Sequence, residues 1–285
     1  MDANSNQTTH DGANDSAPLV LIVEDNAVNR LIVTKYLQKG NYRHEIAVNG
    51  KEGVEAVQRK AFDMVLMDLA MPEMDGLEAT RVIRRLESQQ SLPRRPGTAA
   101  DYHLPIIAVT ANVLNGNREA CYAVGMDDFL SKPLNLQTLL QTMEKHLSQS
   151  KSTALQAESP QVVESQVSPA LDYTAFLERC LGDVSLLMMA AEQFEQQAIV
   201  DIDAVRQAMV RCDLEGVRES AHRLKGAASY LEAEPVRLAA QRVEYAAKDK
   251  SIMTAPDLVD VLAKEIERCL VDLRSAVQQA RTVHS

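Results

Sequence analysis

Between residues 18 and 147 the chain repeats one arrangement five times, a short aliphatic run followed by a stretch with helical spacing. The runs are LVLIV (19–23), HEIAV (44–48), FDMVLMD (62–68), PIIAVT (105–110) and DDFL (127–130), and the helical patterns cover 27–39, 50–60, 76–87, 113–123 and 135–147. Aliphatic strands alternating with helices call for cover on both faces, which the helices supply. The pattern predicts an α/β domain, a doubly wound (βα)5 unit with a five-stranded parallel sheet. After residue 170 the strand runs stop. Stripes at three- and four-residue spacing replace them: Leu187, Ala190, Phe194, Ala198, Ile202, Val205 and Met209, then Leu258, Leu262, Ile266, Cys269, Leu273 and Val277. Such stripes predict an all-α antiparallel bundle.

Two polar segments frame these domains. Residues 1–17 read as a loose tail, and 148–169 (SQSKSTALQAESPQVVESQVSP) as a linker between a domain at 18–147 and a second at 170–285. By random-coil scaling the linker spans roughly 26 Å, enough to let the domains meet or separate. Lys plus Arg number 30 against 40 Asp plus Glu, and Trp is absent. No segment has the basic excess that binding a phosphate backbone needs, so nucleic acid is not expected as a partner. No apolar stretch is long enough for a membrane span and the N-terminus lacks the order of a signal peptide, so a soluble, cytoplasmic chain is expected. The four cysteines (Cys121, Cys180, Cys212, Cys269) are scattered without a CxxC, which disfavours a disulfide framework or a thiolate metal site.

In an open parallel sheet, ligands bind at the carboxyl ends of the strands. There the first run is followed by Glu24 and Asp25, the third ends at Asp68, the fourth at Thr110, and the fifth leads through Phe129 to Lys132. Clustered carboxylates repel and need a cation to stay ionised together. Mg²⁺ suits them, because it accepts a few carboxylates and keeps several waters. With Lys132, Thr110 and backbone N–H groups around it, a phosphoryl group could sit at this edge with a carboxylate as nucleophile.

The order Glu24-Asp25, Asp68 followed by MPEMDG (71–76), Thr110-Ala111 and Lys132-Pro133 resembles the receiver domain of two-component response regulators over 18–147. The resemblance implies phosphorylation of Asp68, Mg²⁺ held by Glu24, Asp25, Asp68 and the backbone carbonyl of Ala70, and contacts from Thr110 and Lys132 to the phosphoryl oxygens. It also implies that Phe129 is the aromatic whose rotation reports phosphorylation. Glu73 and Asp75 read as turn and helix N-terminal residues. The connection 88–105 is long, with three prolines, and is expected to be merely tolerated.

In the segment 213–234, Leu214, Val217, Ala221, Leu224, Ala228 and Leu231 form the apolar stripe. His222 lies roughly 130° from the stripe's centre, which points it toward solvent. Arg218, Lys225 and Gly226 are its helical neighbours, with Ser229 two turns on. An imidazole can act as a nucleophile toward phosphorus, steadied by cations and a hydroxyl. Gly226, costly by ~1 kcal/mol inside a helix, suggests that something approaches closely. The run His222-Arg223-Leu224-Lys225-Gly226-Ala227-Ala228 resembles the histidine-containing phosphotransfer domain. That resemblance covers about 170–285 and implies a four-helix bundle phosphorylated on His222 and supported by Lys225 and Gly226.

Together the resemblances imply the middle of a His-Asp-His-Asp phosphorelay, with an upstream sensor histidine kinase and a downstream response regulator as partners. No glycine-rich nucleotide signature is visible, so a stoichiometric phosphotransfer protein, and not an ATP-using enzyme, is expected. Two alternatives stand beside it: a phosphorylation-regulated adaptor that sequesters a partner, and the detached end of a hybrid sensor kinase.

Overall fold

The computed structural model describes residues 17–94, 102–110, 117–148 and 170–283. Strands β1 (Leu19–Val23), β2 (Arg43–Ala47), β3 (Met64–Asp68), β4 (Ile106–Thr110) and β5 (Asp128–Ser131) form one parallel sheet in the order β2-β1-β3-β4-β5. All residues of β1, β3 and β4 are buried, as expected of central strands covered on both faces. The order reverses at β1, so the carboxyl ends of β1 and β3 lie side by side at the switch point where such sheets bind ligands.

Helices α1 (Ala27–Lys39), α2 (Gly50–Arg59), α3 (Gly76–Ser88), α4 (Asn117–Ala123) and α5 (Leu136–Ser148) follow the strands. Polar caps set where the first three begin. Asn26 accepts from the backbone N–H groups of Val28 and Asn29, Asn49 from Glu52, and Asp75 from Glu78. Gly76 has a tighter reason. A Cβ there would stand 2.1 Å from the carbonyl oxygen of Asp68, so the loop after β3 can fold back over the strand end only with glycine. The elements agree with the sequence reading to within a residue or two, except that 113–116 of the fourth helix lie outside the described residues.

The second domain contains a short α6 (Tyr173–Arg179) and four long helices, α7 (Val184–Val210), α8 (Leu214–Tyr230), α9 (Glu234–Lys248) and α10 (Asp257–Val283). Asp172, Asp183 and Asp213 cap the first three of these five helices. The striped residues of α7 and α10 form the bundle core, with Met209, Leu258 and Val277 at its margin.

The two domains share that core. Val28, Ile32, Val33, Tyr36 and Leu37 of α1 belong to one apolar cluster with Phe176, Leu187, Ala190, Phe194 and Tyr230 of the bundle, and α1 packs on α7 and α8. Polar contacts secure the seam. Tyr36 donates its hydroxyl hydrogen to the Arg179 carbonyl at 2.9 Å, the Leu134 N–H donates to the Tyr230 hydroxyl at 3.1 Å, and the Asn26 amide donates to the Arg223 carbonyl at 3.1 Å. Arg179 is itself oriented by Glu232. Most of the proposed tail (1–17) and linker (148–169) lies outside the described residues.

The carboxyl-terminal end of the 88–105 connection is tied down, although 95–101 lie outside the described residues. His103 bridges Glu87 at 3.0 Å and Asp127 at 2.7 Å, Arg84 pairs with the same two carboxylates, and the Leu104 N–H donates to Glu87. Hydrogen bonds to Asp127 and Glu87 raise the His103 imidazole to about 9.

Two predictions follow from these contacts. Because the folded-state value of His103 lies above its unfolded value, its stabilising contribution is complete below pH ~6.5 and is lost as pH rises through about 9. Thermal unfolding of wild type and His103→Gln should therefore converge above pH ~9. Separately, Tyr230→Phe strips the buried Leu134 N–H of its partner, at a cost of about 1–3 kcal/mol. Hydrogen exchange at the Leu134 amide should accelerate in that variant.

Candidate functional site

The site lies where the carboxyl ends of β1 and β3 meet α8 of the bundle. Glu24, Asp25 and Asp68 each present a carboxylate oxygen within 4.8 Å of the others, a spacing that one small cation can satisfy. Lys132 enters from the end of β5, its Nζ 2.6 Å from Asp68 Oδ2 and 2.7 Å from Glu24 Oε2. Asp68 is 3% exposed and Lys132 is 4% exposed on its side chain, so this is a desolvated cluster. Asn29 donates to Glu24 Oε1 at 2.7 Å, and Arg30 holds the carbonyls of Glu24 and Asp25 at 2.9 and 2.7 Å, which fixes the loop after β1.

The electrostatics follow from that burial. Asp25 is pushed up to about 7, by desolvation first and then by the charge of Glu24, with Lys132 and Arg223 opposing. Burial, joined by Glu24, also raises Asp68, while Lys132 opposes the rise. Burial pulls Lys132 downward, but Asp68 and Glu24 outweigh it and keep the ammonium charged. Three carboxylates against one lysine leave the cluster short of positive charge. A divalent cation fits that deficit and the oxygen-only donor set.

The remaining candidate residues of the α/β domain surround this cluster. Thr110 is buried at the end of β4 and its carbonyl accepts from the Lys132 N–H at 2.7 Å. The Ala70 N–H donates to Asp68 Oδ1 at 3.3 Å, which puts Ala70 in the loop beside the acids. Phe129 is partly buried and carries the Arg118 guanidinium 4.5 Å above its ring. Asp75 caps α3, and Glu73 sits at φ 64° in the turn before it.

His222 is not solvent-facing, which corrects the helical-wheel expectation. Its side chain is 18% exposed, because the α/β domain covers the face that a lone bundle would show to water. A cavity of about 170 Å³ lies between the domains, lined by Asp25, Leu69, Ala70 and Asp75 on one side and by Arg218, His222 and Arg223 on the other. Asp25, the loop that follows Asp68 and His222 thus face one space. Gly226 faces the same seam, where the nearest atom to an added Cβ would be the Asn29 amide nitrogen at 3.6 Å. The approaching group is the chain's own first domain, and a Cβ would meet it at ordinary contact distance.

The cations expected to flank His222 have other partners. Arg218 pairs with Glu215, Lys225 Nζ lies 2.6 Å from Glu244 Oε2, and Ser229 donates its hydroxyl to the Lys225 carbonyl. Glu244, on α9, is the residue that sequence reasoning missed. Its Oε1 lies 2.7 Å from His222 Nδ1, so the imidazole donates from Nδ1 and keeps the Nε2 lone pair available. Although burial raises Glu244, hydrogen bonds from His222 and Lys225 bring it to about 2, so it is ionised. Burial lowers His222, which favours the neutral, nucleophilic ring. Nothing in the local sequence links positions 222 and 244, since only the packing of α8 on α9 joins them.

Glu244→Ala should free the imidazole to rotate, leaving the fold in place while slowing phosphorylation of His222 roughly 10- to 100-fold. Quantifying phosphohistidine against time in the two proteins, with near-ultraviolet circular dichroism as a control on folding, checks this.

Comparisons with known proteins agree with the geometry. Residues 20–144 match the family model of the response regulator receiver domain, and residues 190–281 match the model of the Hpt domain. Among curated proteins, the chain is 45% identical over 129 residues to hybrid signal transduction histidine kinase B of Dictyostelium discoideum, covering 45% of this chain and 6% of that protein. It is 32% identical over 259 residues to sensor protein GacS of Pseudomonas syringae pv. syringae, covering 90% of this chain and 28% of that protein. The chain therefore spans a minor part of these relatives. A solved receiver domain of sensor histidine kinase PA1611 from Pseudomonas aeruginosa PAO1, with magnesium in its active site cleft, is 34% identical, covers 47% of this chain and 99% of its own, and superposes with a TM-score of 0.40. With the acid cluster at the switch point of a five-stranded parallel sheet and a histidine-bearing bundle docked over it, the chain contains a response regulator receiver domain at 20–144 followed by an Hpt domain at 190–281.

Proposed function

We propose that this protein is a phosphorelay intermediate that accepts a phosphoryl group on Asp68 and passes it to His222 of the same chain. The observation that carries this reading is the single cavity lined by both Asp25 and the loop after Asp68 on one side and by His222 on the other. In the transfer, the Nε2 lone pair of His222 attacks phosphorus as the bond from phosphorus to the Asp68 oxygen breaks. The electron pair of that bond returns to the Asp68 carboxylate. The phosphorylated ring, still bearing its Nδ1 proton, becomes cationic, and the ionised Glu244 offsets that charge across the 2.7 Å contact. Lys132 meanwhile steadies the carboxylate that is regenerated.

Glu24, Asp25, Asp68 and the Ala70 carbonyl would hold Mg²⁺, which when bound supplies positive charge for the phosphoryl oxygens. Thr110 would contact those oxygens, and Phe129 would report the phosphorylated state by rotating. A sensor histidine kinase upstream and a response regulator downstream, in the cytoplasm, complete the relay. Among the described residues no helix is long and apolar enough to cross a membrane.

The test is phosphorylation by a small acyl phosphate with Mg²⁺, followed by mass spectrometry under conditions that preserve both linkages. The expected result is label on Asp68 and His222 in wild type, on Asp68 alone in His222→Ala, and on neither in Asp68→Ala. Dilution should leave the transfer rate unchanged, since both groups belong to one molecule. Label that never leaves Asp68 would instead support the adaptor reading, in which phosphorylation controls what the bundle binds.

A further inference from the structure

Arg223 is a cation of the shared cavity to which the transfer step gives no task. Of the basic residues near His222, Lys225 is occupied by Glu244 and Arg218 by the exposed Glu215. Arg223 differs in its setting. Its guanidinium is anchored from inside the bundle, with Nε and Nη2 3.0 and 2.9 Å from Asp201 Oδ1 and Nη2 3.1 Å from Ser220 Oγ. Asp201 is 1% exposed and interrupts the apolar surface of α7, an expensive position for a carboxylate unless its partner is needed there. The Arg223 backbone is pinned as well, since its carbonyl accepts from Asn26, the residue next to Asp25.

Resting on the relay reading above, we propose that Arg223 is a catalytic residue that the phosphotransfer domain inserts beside the receiver's acid cluster, where its guanidinium contacts the phosphoryl group passing from Asp68 to His222. The chemistry favours this placement. As the bond from phosphorus to Asp68 breaks, a full carboxylate charge returns next to Glu24 and Asp25. Arg223 lines the same cavity as Asp25 and His222. With Nε and Nη2 engaged by Asp201 and Ser220, Nη1 is the guanidinium nitrogen left to donate to a phosphoryl oxygen. Asp201 and Ser220 hold it in one orientation, so little reorganisation is needed when the charge shifts. The cation arrives only with docking, so the receiver on its own lacks it, and transfer is selectively assisted when a domain brings an arginine immediately after its histidine.

The experiment follows the single-turnover shift of label from Asp68 to His222 in the full chain, after brief loading with a small acyl phosphate and Mg²⁺. Arg223→Leu should slow the shift roughly 10- to 100-fold, and Arg223→Lys should recover part of the loss. Since Arg223→Leu also leaves Asp201 buried and unpaired, the deciding variant is Arg223→Leu with Asp201→Asn, which removes both charges. Hydrogen exchange at the Leu134 amide monitors docking in each protein. A double variant that stays docked and slow supports the proposal. A double variant restored to the wild-type rate, or a single variant that was never slow, overturns it and leaves Arg223 as the neutralising partner of Asp201. Wild type that labels Asp68 and never His222 refutes the relay reading itself, a different outcome from either of these.

Discussion

Helix α1 puts its apolar side chains into two packings at once, and the meeting of the acid cluster with His222 depends on that. Its inner residues cover β1 and β3, while others, among them Tyr36, join the apolar cluster of the bundle. A receiver helix that ended its packing at the sheet would leave these side chains in water. Covering them brings α7 and α8 across the carboxyl edge of the sheet, and α8 carries His222. The hydrophobic contact is non-directional, so the polar contacts of Tyr36, Asn26 and Tyr230 fix the register.

Docking changes the dielectric surroundings as much as the geometry. Three carboxylates and one lysine at a sheet edge would be partly hydrated in an open receiver. Asp25 is raised to about 7 and Asp68 is raised too, by burial first and then by the charge of Glu24. Burial lowers His222 toward its neutral form, and the ionised Glu244 selects which nitrogen keeps its lone pair.

Much of the site was legible along the chain. Glu24, Asp25, Asp68, Thr110 and Lys132 each sit at the end of an aliphatic run, and a parallel sheet places strand ends on one edge. Their convergence thus follows from period and order. The helical wheel placed His222 off the bundle core correctly, but read the outward direction as solvent because a wheel knows only one helix. Gly226 signalled a close neighbour without naming it, and the neighbour is Asn29, nearly two hundred positions earlier. Asp201 left a trace in the sequence as a charge among apolar positions of α7. Glu244 left none.

Sequence alone determined what is local and periodic: two domains with different repeats, five βα units, the strand-end acids, and a histidine with Lys225 and Gly226 one turn on. These depend on backbone geometry within each element, where a residue's face follows from its number. Tertiary structure decided which residues meet from different elements: Glu244 against His222, Asp201 behind Arg223, and both domains around one cavity. Such pairings depend on helix crossing and domain docking, set by summed packing across surfaces whose partners no short stretch of sequence encodes.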